Sequence, residues 1–439
     1  MSALAELFIR RGYTVTGCDT TQAISADLER LGVHVQHGHD PSHVDGAQEV
    51  VVTSAVPKDH PELQRARELG IPVTRRAEAL GKAVTGGELV AIAGTHGKTT
   101  TTVMTTEALA AAGLDPTGVV GGRVGSWDGN LKAGSDRLFV VEADEYDRSF
   151  HALAPTVAVV TNMEADHLDI YPGGIDEIRD AFAQFVRGAK TIILCADDRG
   201  ACTLPTPNTA EVIRYGTTSK EARLLAKNIE SHDGGSRFDV AYDGAPLGRV
   251  NLRVPGLHNV RNSLAAIASG IALGVKLEEL APGLEAFAGV ERRFQRIGEV
   301  SGVTIIDDYA HHPTEIVATL EAARSAFPQR RIIAAFQPHL YTRTRDFHDE
   351  FAAALSRADV VFLSDLYPAR EQPIEGVSSA MIANPMKAAS KAPQWQGPRD
   401  ELASALEGFV QEGDVVLTIG AGDITKTGAE LRDRLHSRE

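Results

Sequence analysis

The segment Gly94-Thr95-His96-Gly97-Lys98-Thr99-Thr100 constrains what this chain can fold into more than any other stretch. It follows an apolar run, Leu89 to Ala93, that reads as a buried strand, and it opens a helical pattern continuing to about Ala112. A strand that turns through glycines into a helix lets backbone N–H groups converge on phosphate oxygens, with the positive end of the helix behind them. In such a loop Lys98 reaches the terminal phosphates and the Thr99 hydroxyl ligates Mg²⁺. The longest form of the motif has a further glycine where Ile92 stands, so the match is to a shortened G-x-x-G-K-T form. The expected fold class is α/β, and 41 glycines with only 5% aromatic residues favour an α/β protein rich in tight loops.

A length of 439 residues predicts about three domains. The motifs place them at 1–85, 86–296 and 297–439. With 44 basic and 59 acidic residues the net charge is −15, and there is no basic tail, which argues against a nucleic-acid binder. No apolar run approaches the ~18 residues of a membrane helix, and Glu6, Arg10 and Arg11 interrupt the start before a signal-peptide core could form. Cys18, Cys195 and Cys202 form neither a disulfide framework nor a cysteine-spaced metal motif. They are expected as free thiols in a cytoplasmic protein.

The first region starts with a helical face (Leu4, Leu7, Phe8), a glycine cap at Gly12 and a strand ending at Asp19. An acid closing such a strand is familiar from nucleotide-binding βαβ units, which begin with a strand and a Gly-rich turn; here the acid is present and the glycines are absent. Short α/β units follow to about residue 85. A hairpin is expected within Ser231–Val254, and from Val303 onward strands and helices alternate again, with strands at Ile332–Phe336, Val360–Leu363 and Val415–Ile419 and helices at Thr314–Ala326 and Phe347–Ser356. Two acid clusters follow predicted strands, Glu142, Asp144, Glu145 and Asp147 after Leu138–Val141, and Glu164, Asp166, His167 and Asp169 after Val157–Val160. Acids at strand ends beside a phosphate loop are where Mg²⁺ would sit.

Taken together, the segments Ala93–Thr99, Glu142–Glu145, Asn162–Asp169, Pro255-Gly256-Leu257-His258-Asn259, Arg292-Arg293-Phe294 and Asp307-Asp308-Tyr309-Ala310-His311-His312-Pro313-Thr314-Glu315 resemble the Mur ligases of peptidoglycan synthesis, in order and over essentially the whole chain. Phe336-Gln337-Pro338-His339 with Tyr341–Arg345 favours the alanine-adding members over the tripeptide-recycling ones. The resemblance implies three domains: a Rossmann-like UDP-sugar domain, here expected to lack its first strand and Gly-rich turn, a central P-loop ATPase domain, and a C-terminal Rossmann-like domain. It also implies an ADP-forming ligation, in which ATP phosphorylates the carboxylate of UDP-N-acetylmuramate and the amine of L-alanine attacks the acyl phosphate.

The same resemblance assigns roles. Gly94, Thr95, His96, Gly97, Lys98, Thr99 and Thr100 would hold ATP, together with His258, Asn259, Asn262, Arg293 and Asp308. Thr99 and Glu142 would hold Mg²⁺, with Mn²⁺ as an alternative ion, and His167 a second ion near the acyl phosphate; Lys98, Glu142 and His167 form the catalytic set. Asp19, Thr53, Ser54 and Ala55 match the UDP-sugar site, and Tyr309, His311, His339 and Arg343 the amino-acid pocket. The expected partners are the three substrates alone, with no nucleic acid or membrane, in a monomer or weak homodimer. Two departures stand out: no lysine lies between His167 and Lys190, where some relatives carry a carbamylated one, and Leu340 replaces an arginine. The alternatives are a sibling ligase that adds a peptide or acts on folate, a P-loop protein without ligase chemistry, and an ATP-binding protein whose ligase activity is impaired at its N-terminus.

Overall fold

In the computed structural model, residues 1–20, 25–168, 170–232 and 234–437 are described; Asp169 and Asp233 lie outside them. The chain divides into two compact units. One comprises Met1–Asn228, Phe238–Val250 and Arg261–Ala286, the other Ile229–Arg237, Asn251–Val260 and Phe287–Glu439.

The first unit is built on the parallel strands Glu211–Gly216, Thr191–Cys195, Val157–Val160, Glu88–Ala93, Ser135–Glu142 and Pro116–Val124, adjacent in that order, with Gly129–Lys132 antiparallel at the edge. Glu88–Ala93 is central and fully buried after its first residue. A strand covered on both faces needs apolar side chains on both, which is why Leu89–Ala93 and Val157–Val160 read as unbroken apolar runs. The expected hairpin is a larger feature: Leu224–His232, Gly235–Tyr242 and Ala245–Leu252 extend the same sheet beyond Glu211–Gly216. Its Tyr-Asp-Gly turn puts Asp243 and Gly244 at φ of 48° and 83°, the left-handed pair that matches the twist of a tight hairpin.

The helix Lys98–Ala111 is buried although its sequence, Lys-Thr-Thr-Thr-Thr-Val-Met-Thr-Thr, is rich in weak helix formers. Its hydroxyls solve the polarity problem locally: Thr102, Thr105 and Thr106 each donate to the carbonyl four residues back, at 2.7–2.8 Å. At the N-terminal end, the helix Ser2–Arg10 is followed by two separate parallel pairs, Thr16–Asp19 with His34–His37 and Val50–Val52 with Val73–Arg75.

In the second unit six strands lie in the order Gln295–Val300, Val303–Asp308, Val415–Ile419, Ile332–Phe336, Val360–Ser364 and Trp395–Gly397, the first antiparallel and the rest parallel. Alternate side chains feed two cores. Ile306, Ala334, Phe336 and Leu417 pack on one face with Ile316, Leu320, Phe351 and Leu355; Ile305, Ile333, Ala335 and Val416 pack on the other with Leu402, Leu406, Leu431 and Leu435. Asp308, Phe336 and Ile419 end three neighbouring strands in register, so the loops after them emerge side by side, the usual ligand edge of an open α/β sheet. The helix expected over Phe347–Ser356 runs from Tyr341 to Leu355 and is kinked at Phe347. Its polar first turn carries no apolar periodicity, yet Arg343 and Thr344 are buried there.

Candidate active site

In the phosphate loop Gly94 has φ +139°, and a Cβ built on it would lie 2.0 Å from Thr161 Oγ1. Gly97 has φ +81°, and its Cβ would lie 2.7 Å from Asn262 Oδ1. Both positions demand glycine, and the second shows that Asn262 sits directly against the loop. The turn is held from the neighbouring strand end: Asn162 Oδ1 accepts from the His96 N–H at 2.8 Å, Asn162 Nδ2 donates to the His96 carbonyl at 3.0 Å, and Thr161 Oγ1 donates to the same carbonyl at 2.7 Å. Glu164 N donates to Thr95 Oγ1 at 2.9 Å.

Lys98 Nζ is buried and bonded to both oxygens of Glu145, at 2.7 and 2.9 Å, and to the Gly94 carbonyl at 2.7 Å. Burial alone would lower its pKa, but Glu145 and Asp144 outweigh it and hold the ammonium above its ordinary range. Burial pushes Glu145 up to about 7 against the pull of Lys98. Next to this pair, Thr99 Oγ1 donates to Glu142 Oε1 at 2.8 Å, and Gly121 N donates to the other Glu142 oxygen at 2.6 Å. The two residues expected to share Mg²⁺ are thus in contact. His167, at φ +53°, places Nε2 3.9 Å from Glu145 Oε1 and 3.8 Å from Asp166 Oδ2, with its ring edge-on to Tyr146. Sequence reasoning grouped Glu145 with the other acids but gave it no partner; its contact with Lys98 joins residues 47 apart and depends on where two strands end.

Of the UDP-sugar set, Asp19 ends the strand Thr16–Asp19, and Thr53, Ser54 and Ala55 follow the strand Val50–Val52. Ser54 Oγ donates to Asp147 in the loop that also carries Glu142 and Glu145.

In the second unit Asp308 is buried and accepts from Phe294 N and Ala310 N, both at 2.8 Å. Burial raises it to about 6, opposed by Arg293 and by those two N–H groups. Arg293 reaches Glu315 at 3.4 Å, and Arg292 and Arg293 both lie over the Tyr309 ring, at 4.7 and 5.2 Å. Glu315 also accepts from His311 N and His312 N, closing the start of the helix Pro313–Ala326. His311 bonds the Tyr309 carbonyl through Nδ1 and its ring centre lies 6.2 Å from that of His339. His339 stacks on Tyr367, and burial, with Arg343 and Arg370 adding to it, lowers its pKa to about 4. The structure therefore gathers Tyr309, His311, His339 and Arg293 around one end of this sheet, and Arg343 lies in the first turn of the helix Tyr341–Leu355. His258 and Asn259 open the helix Leu257–Ala272 that carries Asn262, and Asn259 Nδ2 donates to the Pro255 carbonyl at 2.8 Å. Arg292, Phe294 and Leu340 have φ between 50° and 71°, so non-glycine left-handed residues flank the candidate side chains.

Family models match consecutive stretches of the chain: "Mur ligase family, catalytic domain" over residues 1–86, "Mur ligase middle domain" over 92–270 and "Mur ligase, glutamate ligase domain" over 292–422. A UDP-N-acetylmuramate–L-alanine ligase from Salinibacter ruber is 44% identical across 100% of this chain and 93% of its own length. The chain belongs to the Mur ligase family. It is an enzyme of the three-domain Mur ligase fold. A second relative of the same name, from Geotalea daltonii, is 43% identical over 99% of this chain and 95% of its own. Among solved structures, the UDP-N-acetylmuramate-alanine ligase of Thermotoga maritima superposes with a TM-score of 0.86 at 30% identity, covering 100% of this chain and 97% of that one. A murein peptide ligase from Psychrobacter arcticus gives 0.70 at 26% identity, covering 99% and 96%. Among the described residues no helix is long and apolar enough to cross a membrane.

Proposed function

We propose that this Mur ligase joins L-alanine to the carboxylate of UDP-N-acetylmuramate with cleavage of ATP to ADP and phosphate, a step of peptidoglycan precursor synthesis in the cytoplasm. The observation that carries the reading is the placement of Lys98, Thr99 and Glu142 at the mouth of the phosphate loop, in a chain whose full-length relatives bear that name. Division of labour follows the expected domains: 1–85 for the UDP-sugar, through Asp19, Thr53, Ser54 and Ala55; 86–296 for ATP; 297–439 for the amino acid.

The chemistry is mostly positioning and charge neutralisation. Backbone N–H groups of Gly94–Thr100 cradle the phosphates, and Lys98 moves its charge from Glu145 toward the transferred group. Thr99 and Glu142 offer hard oxygens, the donor set that suits Mg²⁺, and they would hold it. That ion, when bound, offsets charge on the phosphate oxygens; His167, beside Glu145 and Asp166, would hold a second. Asn262, His258, Asn259 and Arg293 contact the nucleotide, and Asp308 accepts from its ribose. Arg343 takes the alanine carboxylate as a two-pronged guanidinium, while Tyr309, His311 and His339 wall the pocket. The uncharged His339 ring leaves the alanine amine free of a neighbouring imidazolium. No lysine carbamate takes part. The enzyme acts as a monomer or weak homodimer.

The test is phosphate release with ATP, Mg²⁺ and UDP-N-acetylmuramate while the acceptor is varied. L-Alanine should support turnover. Release that ignores L-alanine but responds to a tripeptide would reassign the enzyme to the recycling class.

A further inference from the structure

Outside the ligation machinery, four side chains of the first region converge. Cys18 lies in the strand Thr16–Asp19, His39 just past the strand His34–His37, and His60 and Glu62 at the start of the helix Pro61–Glu68. Cys18 Sγ is 3.4 Å from His39 Nδ1 and 3.1 and 3.2 Å from the two Glu62 oxygens, and His39 Nδ1 is 3.6 Å from Glu62 Oε1. A tetrahedral zinc with bonds of about 2.0–2.3 Å separates its ligand atoms by about 3.3–3.8 Å. The observed spacings are those edges to within a few tenths of an ångström. His60 flanks this trio without occupying a corner of it: its Nδ1 is buried without a hydrogen-bond partner among the described residues and lies 3.9 Å from Glu62 Oε2, while its ring meets His39 edge-on at 4.6 Å.

The surroundings support the same reading. Glu62 is a buried carboxylate, and its Oε1 accepts from Asp40 N at 3.2 Å and contacts His43 Nδ1 at 2.9 Å, contacts that fix its orientation as outer partners do for metal ligands. A thiolate and a carboxylate together match the charge of a divalent ion. Sulfur and imidazole donors select zinc over Mg²⁺ or Ca²⁺. His39 is about a third exposed, which leaves a path for the ion. The bland alternative is a buried carboxylate acting as a hydrogen-bond hub for Cys18 and the histidines.

We infer that Cys18, His39 and Glu62 form a zinc site, its fourth position open to water, that ties one strand end, one loop and one helix start of residues 1–86 together. Binding exchanges the Cys18 thiol proton, which leaves to the buffer, for the Zn–S bond. Cys18 directly precedes Asp19, one of the residues assigned to the UDP-sugar, so the site borders that set.

The experiment uses the full chain, stripped with a chelator, kept reduced, and titrated with Co²⁺ in excess Mg²⁺ so that oxygen-rich sites are filled. One equivalent should produce a near-ultraviolet thiolate-to-cobalt charge-transfer band with the intense visible bands of a tetrahedral ion, and one equivalent of Zn²⁺ should abolish both. Cys18→Ser should lose the charge-transfer band, Cys202→Ser should keep it, and His39→Gln should weaken binding at least about tenfold. Absence of the band in the unsubstituted protein overturns the inference whatever the variants do. So does a band that survives in Cys18→Ser, or His39→Gln binding as tightly as the parent.

Discussion

Replacing Lys98 by methionine keeps much of the side chain's length and removes its charge, so Glu145 is left buried without the ammonium now 2.7 Å away. Breaking a buried ion pair from one side costs about 3–5 kcal/mol if the stranded group stays charged. A carboxyl can escape by taking a proton, and that makes the loss depend on pH. With Lys98 present, burial already holds Glu145 near 7; without it the folded-state pKa must rise further. A carboxyl raised in the folded state destabilises as pH climbs from its unfolded value to its folded one, and the effect then levels off. Parent and variant should therefore differ little below pH 7 on this account. Above it the deficit should grow by roughly 1.4 kcal/mol per pH unit, to about 3 kcal/mol by pH 9. Thermal melts at pH 6, 7, 8 and 9 measure it. Lys98→Met/Glu145→Gln should recover most of the lost stability at pH 9 with no recovery of activity, because the charge that meets the phosphates is still missing. A deficit equal at all four pH values, or a double variant no more stable than the single one, would refute the electrostatic account of this pair.

Glu142→Ala should raise the Mg²⁺ concentration for half-maximal activity at least about tenfold and cost about 3 kcal/mol, the bonds from Gly121 N and Thr99 Oγ1 both being lost; a Mg²⁺ titration and a melt check both. Gly97→Ala forces an alanine to φ +81° against Asn262, at about 1–2 kcal/mol for the backbone alone, and should raise KM for ATP about tenfold while KM for L-alanine changes less than twofold. Arg343→Lys replaces a planar fork by a point charge, so KM for L-alanine should rise at least about tenfold with KM for ATP unchanged in steady-state assays. Asp308, raised to about 6 by burial, favours the folded state while protonated and loses that contribution as pH rises from about 4 to 6. Asp308→Asn should flatten this limb, worth about 3 kcal/mol in melts across that range.

The parts of the fold that could be read from the chain are those whose burial writes a pattern into neighbouring residues. Val157–Val160, Ile332–Phe336 and Val415–Ile419 are covered on both faces and read as apolar runs with matching boundaries. Gln295–Val300 carried no such mark: it is an edge strand, mostly half-exposed, with a bulge between Arg296 and Gly298. The first turn of Tyr341–Leu355 was equally silent, since its helix is anchored by polar contacts, Thr342 to Glu371 and Thr344 to the Leu340 carbonyl. In the site, the phosphate loop and the contact of Thr99 with Glu142 were legible because a motif fixes the first and strand ends position the second. Lys98 with Glu145, and Cys18 with His39 and Glu62, were not, because pairing across 21 to 47 residues leaves no periodic trace.

The side-chain amide of Asn162 meets His96 with one donor and one acceptor, the same two groups an adjacent peptide unit would present. The bend of the phosphate loop is in effect one rung wider than its backbone: a side chain stands in for the strand that a turn cannot have. Ordering a residue's backbone costs about 1–2 kcal/mol, and here that cost falls on the folding of the protein once, not on each arriving nucleotide. Successive catalytic cycles then meet a loop already shaped, and the interaction energy of each ATP is left for discriminating between the ground state and the transition state.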